Sequence, residues 1–409
     1  MDTPIIAVLA TLDTKGPEAA YLATRIRAAQ ATPLLIDIGV IGAPGTPPDI
    51  TRESVAEAGG SDLCALLENP TRQKAVPVMV AGATALLIKA VAADQVQGVI
   101  GLGGTQGTPT CTEIMRALPY GLPKIMVSTI ASGDTAPFVD IKDITMMFSV
   151  GDILGLNPVT RMVLANAAGA ACGMAQSGGV LVTQVNAKPL IGMTNLGVLT
   201  DGAMEAINLF QAAGYEVIVF HAVGSGGRAM EQLMKEGVIG AVFDYALGEI
   251  ADEMYDGLRA ANAERLTVAG KLGLPQVICP GGAEHIGLMV DKPSVPPEKY
   301  QDHLFVFHNP VIFAPRLNTG EYVAVAHEIA NRLSHTKGRA VMMLPLDGPS
   351  RYGAEGGPLR DPEGDSAFFA ALKDALPDTI EVVERQTHAE DPAFVAEAVE
   401  RLIALIEGD

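Results

Sequence analysis

The sequence predicts an α/β fold made of two Rossmann-like domains with mainly parallel sheets. Short β-branched runs alternate with longer helical patterns along the whole chain, the signature of βαβ units. At 409 residues the chain is too long for one ordinary core. Hydrophobic residues make up 48% of it but aromatics only 5%, with no Trp, so its core must be built from Val, Ile, Leu, Ala and Met. Such residues suit parallel strands covered by helices on both faces.

In the first half, residues 4–12 read as a strand, 17–29 as a helix opened by Pro17, and 34–38 as a second strand. Residues 40–75 are Pro-rich at first and partly helical later. A helix over 78–93, a strand over 96–102, a helix over 109–118 and a strand over 124–129 follow, then a long helix over 158–176. Ser-Gly-Gly at 177–179 interrupts that helix, which gives domains 1–180 and 181–409. The pattern restarts with strands at 189–194, 216–221 and 239–244, separated by helices at 201–213 and 227–236. Strands at 276–279, 304–307, 340–344 and 380–384 complete the set, with helices near 320–334, 365–375 and 392–407. The last helix could return to brace the first half. Both halves contain a glycine loop that runs into a helix, at 104–108 and 224–228, which suggests a duplication.

A net charge of −19 repels nucleic-acid phosphates and anionic lipid, so neither is an expected partner. Cys64, Cys111, Cys172 and Cys279 are far apart and fit reduced thiols, not a disulfide frame or a zinc site. The start of the chain has no basic n-region, and Gly, Pro or charge breaks the apolar stretches before they reach spanning length. The expectation is a cytoplasmic protein.

The strongest local signal is Gly-Leu-Gly-Gly-Thr-Gln-Gly-Thr at 101–108, where an apolar strand meets glycines, hydroxyls and a helix. Gly101, Gly103, Gly104 and Gly107 permit close backbone approach, and the helix start favours an anion. Thr105 and Thr108 could donate to phosphate oxygens. The loop is neither a Walker A motif nor a clean dinucleotide fingerprint, so a structural tight turn competes with an anion site. The second loop offers Gly224, Gly226 and Gly227, with Arg228 as a bidentate anion clamp and His221 at a strand tip. The competing reading is a satisfied histidine and a surface ion pair.

Asp13 and Thr14 could cap the helix opened by Pro17, while Lys15 at the same strand tip could meet a phosphate. Ser132, Gly133 and Asp134 lie in a third hydroxyl-rich loop, 128–135. Asp134 suits a Mg²⁺ ion that keeps water and phosphate oxygens. Asp244, Glu249, Asp252 and Glu253 form an acidic group, for which a solvated helix face is the favoured reading. Glu284 and His285 follow a Pro-Gly-Gly turn and His308 follows a later strand, a set that could serve acid/base chemistry or a metal. The run at 388–392 reads as the cap of the last helix.

Taken together, several motifs in order resemble an uncharacterised bacterial and plant family, the ATP-binding domain family of the tomato mosaic virus resistance protein. They are Ala-Thr-Leu-Asp-Thr-Lys-Gly at 10–16, the glycine run at 101–108, 127–135, 143–147 and 166–170, then 219–230 and His308-Asn309-Pro310. The resemblance spans nearly the full length. It implies two Rossmann-like domains, ATP binding at the matching loops and a homodimer; plant members also bind a viral replication protein. At 280–285 this chain departs from a run ending Leu-Asp-Met-Val-Asn-Phe found in many members, which points to a branch with different substrate chemistry.

Two functions follow as expectations. One is an ATP/Mg²⁺-dependent enzyme acting on a small carboxylic acid or related metabolite, with His221, Arg228, Glu284 and His285 as catalytic candidates. The other is a nucleotide-binding regulator or scaffold that leaves ATP intact. An NAD-dependent dehydrogenase is less well supported, because the strand after the glycine loop ends in hydroxyls rather than an acid for the ribose.

Overall fold

The computed structural model describes residues 3–68, 70–178 and 188–408. The chain forms two compact units, Met1–Val182 and Thr183–Asp409. The expected boundary near 180 lies outside the described residues.

The first unit runs β1 (Ile5–Ala10), α1 (Leu12–Ala28), β2 (Thr32–Asp37), α2 (Arg52–Ala58), α3 (Leu63–Glu68) and α4 (Arg72–Ala92). It continues with β3 (Gly98–Gly103), α5 (Gly107–Arg116), β4 (Lys124–Ser128), α6 (Ala136–Val139), β5 (Thr145–Phe148) and α7 (Pro158–Ser177). The five strands are parallel in the order β2-β1-β3-β4-β5. Side chains alternate across the sheet: Ile6, Val8 and Ala10 pack with α1 and α7, while Ala7 and Leu9 pack with α2, α4 and α5. Burial on both faces is why β1 reads as an unbroken apolar run.

The sequence reading missed β5 and started α4 six residues late. By length and composition α4 could cross a membrane, with a mean hydropathy of 1.9. Its Met79, Val80, Ala83 and Leu87 are buried in the core of the first unit.

The second unit opens with β6 (Ile191–Asn195), α8 (Thr200–Ala212), β7 (Val217–His221), α9 (Ser225–Lys235), β8 (Ala241–Ala246), α10 (Gly248–Met254) and α11 (Val268–Leu272). Then come β9 (Gln276–Gly281), β10 (Leu288–Met289), β11 (Phe305–Asn309), β12 (Ile312–Pro315) and α12 (Thr319–Leu333). The chain closes with β13 (Ala340–Pro345), α13 (Pro362–Ala375), β14 (Ile380–Arg385) and α14 (Pro392–Glu407). Its main sheet is parallel, in the order β14-β13-β9-β8-β6-β7. The segment at 304–307 belongs instead to a separate antiparallel ribbon, β10-β12-β11. Phe394, Val395, Ala398, Val399 and Leu402 of α14 are buried in the second unit's core with β8 and β9. Asp391 caps α14 by accepting from the Ala393 and Phe394 amides.

Both sheets place their second strand outside the first and the third strand on its other side. This order creates a topological switch point between β1 and β3, and again between β6 and β8. The two glycine loops are not counterparts within it. The first follows the third strand of its sheet, whereas the second follows the second strand, β7.

Candidate functional site

In the first unit a cleft of about 430 Å³ opens at the switch point. The first turn of α1 contributes Asp13, Thr14 and Lys15, the end of β3 and the start of α5 contribute Gly103, Gly104, Gln106 and Gly107, and α4 contributes Arg72. The tight β3–α5 turn depends on Gly103, where a Cβ would stand 2.6 Å from the Gly107 Cα. At Gly104 a Cβ would meet only the Thr129 hydroxyl, at 3.3 Å. Gln106, the N-cap of α5, makes no capping bond with its side chain. No N-cap side chain therefore accepts from the first turn of α5, although the Thr108 amide reaches the Gly104 carbonyl at 2.9 Å, and the helix start carries partial positive charge.

Several predicted binding residues have other roles. Gly101 is buried, and a Cβ there would lie 2.8 Å from the Cys111 Cβ, so it allows α5 to pack on β3. Thr108 is buried and shares a 2.7 Å hydrogen bond with the Ser128 hydroxyl, which ties α5 to β4. Thr105 is exposed and does not line the cleft. Ser132, Gly133 and Asp134 are also exposed and outside it; Asp134 accepts from the Ala136 amide at 3.0 Å, at the start of α6.

Asp13 does not cap a helix beginning at Pro17, because α1 already starts at Leu12 and is kinked at Lys15. Its Oδ2 accepts from the Gly42 amide at 3.2 Å, while its buried Oδ1 has no hydrogen-bond partner. Thr14 pairs with the Thr11 hydroxyl at 2.8 Å, and the Lys15 ammonium donates to the Ile153 carbonyl. Next to them Asp37, at the tip of β2, accepts from the Leu12 and Gly39 amides at 3.1 and 2.9 Å. Burial raises its carboxyl above the usual range despite these bonds, and Asp13 adds to the rise.

The second glycine loop is filled from inside the protein. Glu249 Oε1 accepts from the Gly224 amide at 2.6 Å and the Gly227 amide at 3.1 Å. Arg265 holds the other Glu249 oxygen at 2.7 Å and grips Asp244 with two bonds of 2.5 and 2.6 Å. The Gly224 and Gly227 amides thus hold a buried carboxylate where a phosphate was expected. A Cβ on Gly226 would also collide with the His221 carbonyl. The acidic group is not a solvated face: Asp244, Glu249 and Asp252 are buried and each is paired to an arginine.

A cleft of about 380 Å³ opens in this unit at the tips of β6 and β7. His221, His285, His308 and Arg259 line it, with Leu196, Gly197 and Val198 from the chain after β6. Arg259 is anchored by Asp252 through bonds of 2.6 and 2.9 Å. His285 is buried between two partners, with Nδ1 3.1 Å from Glu284 and Nε2 3.3 Å from Arg259 Nη1. His285 thus lies between an acidic partner at Nδ1 and a basic one at Nε2. Burial would raise the Glu284 carboxyl, but His285, the Ser350 hydroxyl and Arg316 outweigh it and hold it at about 2. His308 Nδ1 meets the Tyr352 hydroxyl at 3.0 Å. Arg228 sits on α9 and does not line the cleft.

Sequence reasoning named three of these histidines but missed Arg259, Tyr352 and, in the first unit, Arg72 and Asp37. Asp37 was visible as an acid ending a strand. Arg259 lies between helices in an irregular stretch with no motif to mark it.

Among the described residues, no three His, Cys, Asp or Glu side chains are grouped to hold a metal ion. The first cleft nonetheless suits a polyphosphate, because a glycine-rich turn and a helix start with no side-chain cap face it beside Lys15 and Arg72.

Residues 4–179 match the model of the Uncharacterised protein family (UPF0261) N-terminal domain, and residues 188–406 match its C-terminal domain. This chain belongs to that family. A UPF0261 protein of Clostridium tetani is 37% identical over 403 residues, covering 98% of this chain and 99% of that one. The ToMV susceptible protein tm-1(GCR26) of Solanum lycopersicum is 34% identical over 307 residues, 74% of this chain and 40% of that protein. Among solved structures, a putative UDP-N-acetylglucosamine 2-epimerase from Listeria monocytogenes is 11% identical, with a TM-score of 0.22, covering 68% of this chain and 79% of that one. The motif resemblance therefore holds at the level of the UPF0261 family.

Proposed function

We propose that this UPF0261 chain binds ATP with Mg²⁺ in the cleft at the tips of β1 and β3. The bound nucleotide would serve an enzyme acting on a small carboxylic acid or related metabolite. The observation that carries this reading is the uncapped start of α5, which opens onto a switch-point cleft beside Lys15 and Arg72. In a chain of net charge −19 these groups supply a local attraction for anions that the overall field lacks.

The backbone at Gly103 and Gly104 and the first turn of α5 would hold the phosphates, with Lys15 and Arg72 offsetting their charge. Asp13, in the same wall, suits a hydroxyl or amino donor rather than a phosphate. Mg²⁺ would neutralise phosphate oxygens and keep much of its water, since it needs few protein carboxylates. A second reading, ATP bound but not consumed, is supported by the role of Asp134 at the start of α6.

Thermal-shift measurements with ATP and NAD, each with and without Mg²⁺, test the binding. ATP should stabilise the protein, NAD should not, and Gly104→Val should abolish the shift. Assays of phosphate release with a panel of small carboxylic acids then separate the two readings. Absence of any ATP shift in the parent chain would remove both.

A further inference from the structure

We infer that the second unit has its own binding site for a small organic acid, a carboxylate with a compact apolar chain, in the cleft lined by His221, His308 and Arg259. This deepens the proposed reading by locating the small acid. It rests on that reading only for calling the acid a substrate, because the geometry belongs to the second unit alone.

Three kinds of group converge on this cleft. The first is exposed backbone. After β6 the chain passes through Gly197 and Val198, both of which line the cleft. Nothing lies within 4 Å of a Cβ built on Gly197, so a ligand can approach the backbone there.

The second is a pair of imidazoles. His221 Nδ1 lies 3.4 Å from the Asn195 carbonyl. His308 is held by the Tyr352 hydroxyl. Partial desolvation lowers His308 from the usual histidine value, and His285 and Arg259 lower it further. The Arg259 part of that effect is a positive field at His308, which an anion in the cleft would offset.

The third is the limit on charge and size. Asp252 offsets most of the Arg259 charge, so the site matches one carboxylate better than a polyphosphate. Leu196, Val223, Leu258 and Ile312 supply an apolar wall for a short aliphatic group.

Calorimetric titration of the full-length chain with isobutyrate, isobutyramide and inorganic phosphate tests the assignment. Isobutyrate should bind saturably and at least about tenfold more tightly than the neutral amide or phosphate. His221→Asn and His308→Asn should each weaken it severalfold. Leu258 is 49% exposed, so Leu258→Asp should fold normally and abolish isobutyrate binding by charge repulsion. All three variants should keep the parent's thermal shift with ATP. Equal binding of the amide or phosphate, no saturable isobutyrate binding, or unchanged binding in all three variants would overturn the inference. Loss of the ATP response alone, with isobutyrate binding intact, would count against the nucleotide reading and leave this one standing.

Discussion

The Glu249 carboxylate accepts from the Gly224 amide at 2.6 Å, so the protein supplies its own anion at the start of α9. The start of α5 has no such internal partner from its N-cap side chain, and it faces a cleft. Two loops that look alike in sequence therefore have opposite roles.

Removing this internal anion should be costly. Glu249→Ala leaves Arg265 buried with one partner fewer and uncaps α9, a loss of about 3–5 kcal/mol typical of broken buried pairs. Glu249→Gln retains an acceptor and should lose less. Urea unfolding followed by circular dichroism checks both, since the chain has no Trp to report by fluorescence.

The glycines of the first loop should separate packing from binding. Gly103→Ala forces a Cβ to within 2.6 Å of the Gly107 Cα and should destabilise the first unit by about 1–3 kcal/mol. Gly104→Val meets little but the Thr129 hydroxyl and should lose the ATP shift at nearly unchanged stability. Equal destabilisation by both would show Gly104 to be a packing residue as well.

Thr108→Val tests the opposite assignment. It removes the hydrogen bond to Ser128 and should cost about 1 kcal/mol, while the ATP response persists. A lost ATP response in a stable Thr108→Val protein would restore Thr108 as a ligand-binding residue.

Stability should also depend on the protonation of Glu231. Burial raises its carboxyl from 4.5 to about 7, outweighing Arg265 and the Leu266 and Val268 amides. Because the folded form holds this proton more tightly than the unfolded chain, the contribution is full below about pH 4.5 and is lost as the pH rises through about 7. The rise from 4.5 to about 7 corresponds to about 3 kcal/mol. The difference in urea stability between Glu231→Gln and the parent should therefore change in favour of the variant between pH 5 and pH 8. A constant difference across that range would contradict the buried, proton-holding carboxyl.

Much of the fold was legible because parallel strands buried on both faces leave continuous apolar runs, as in Ile5–Ala10 and Gly98–Gly103. The edge strand β5 was not, because its residues are only partly buried and carry no such run. The ribbon β10-β12-β11 was misread for a related reason: strand direction is not encoded in a short segment such as Phe305–Asn309. Of the site, the Asp-Thr-Lys turn and the first glycine loop were recognisable, since strand-tip glycines before a helix have a local physical meaning. Arg259 and Tyr352 were not, because long-range packing alone brings them to His285 and His308.

The sequence by itself determined the α/β class, the glycine-dependent turns and the absence of a general positive field, because periodicity, backbone freedom and charge count are local or additive properties. Only the tertiary structure decided which glycine loop faces a cleft and which surrounds Glu249. That outcome depends on where a carboxylate 25 residues away in the chain is held, and distance along a sequence does not specify distance in space.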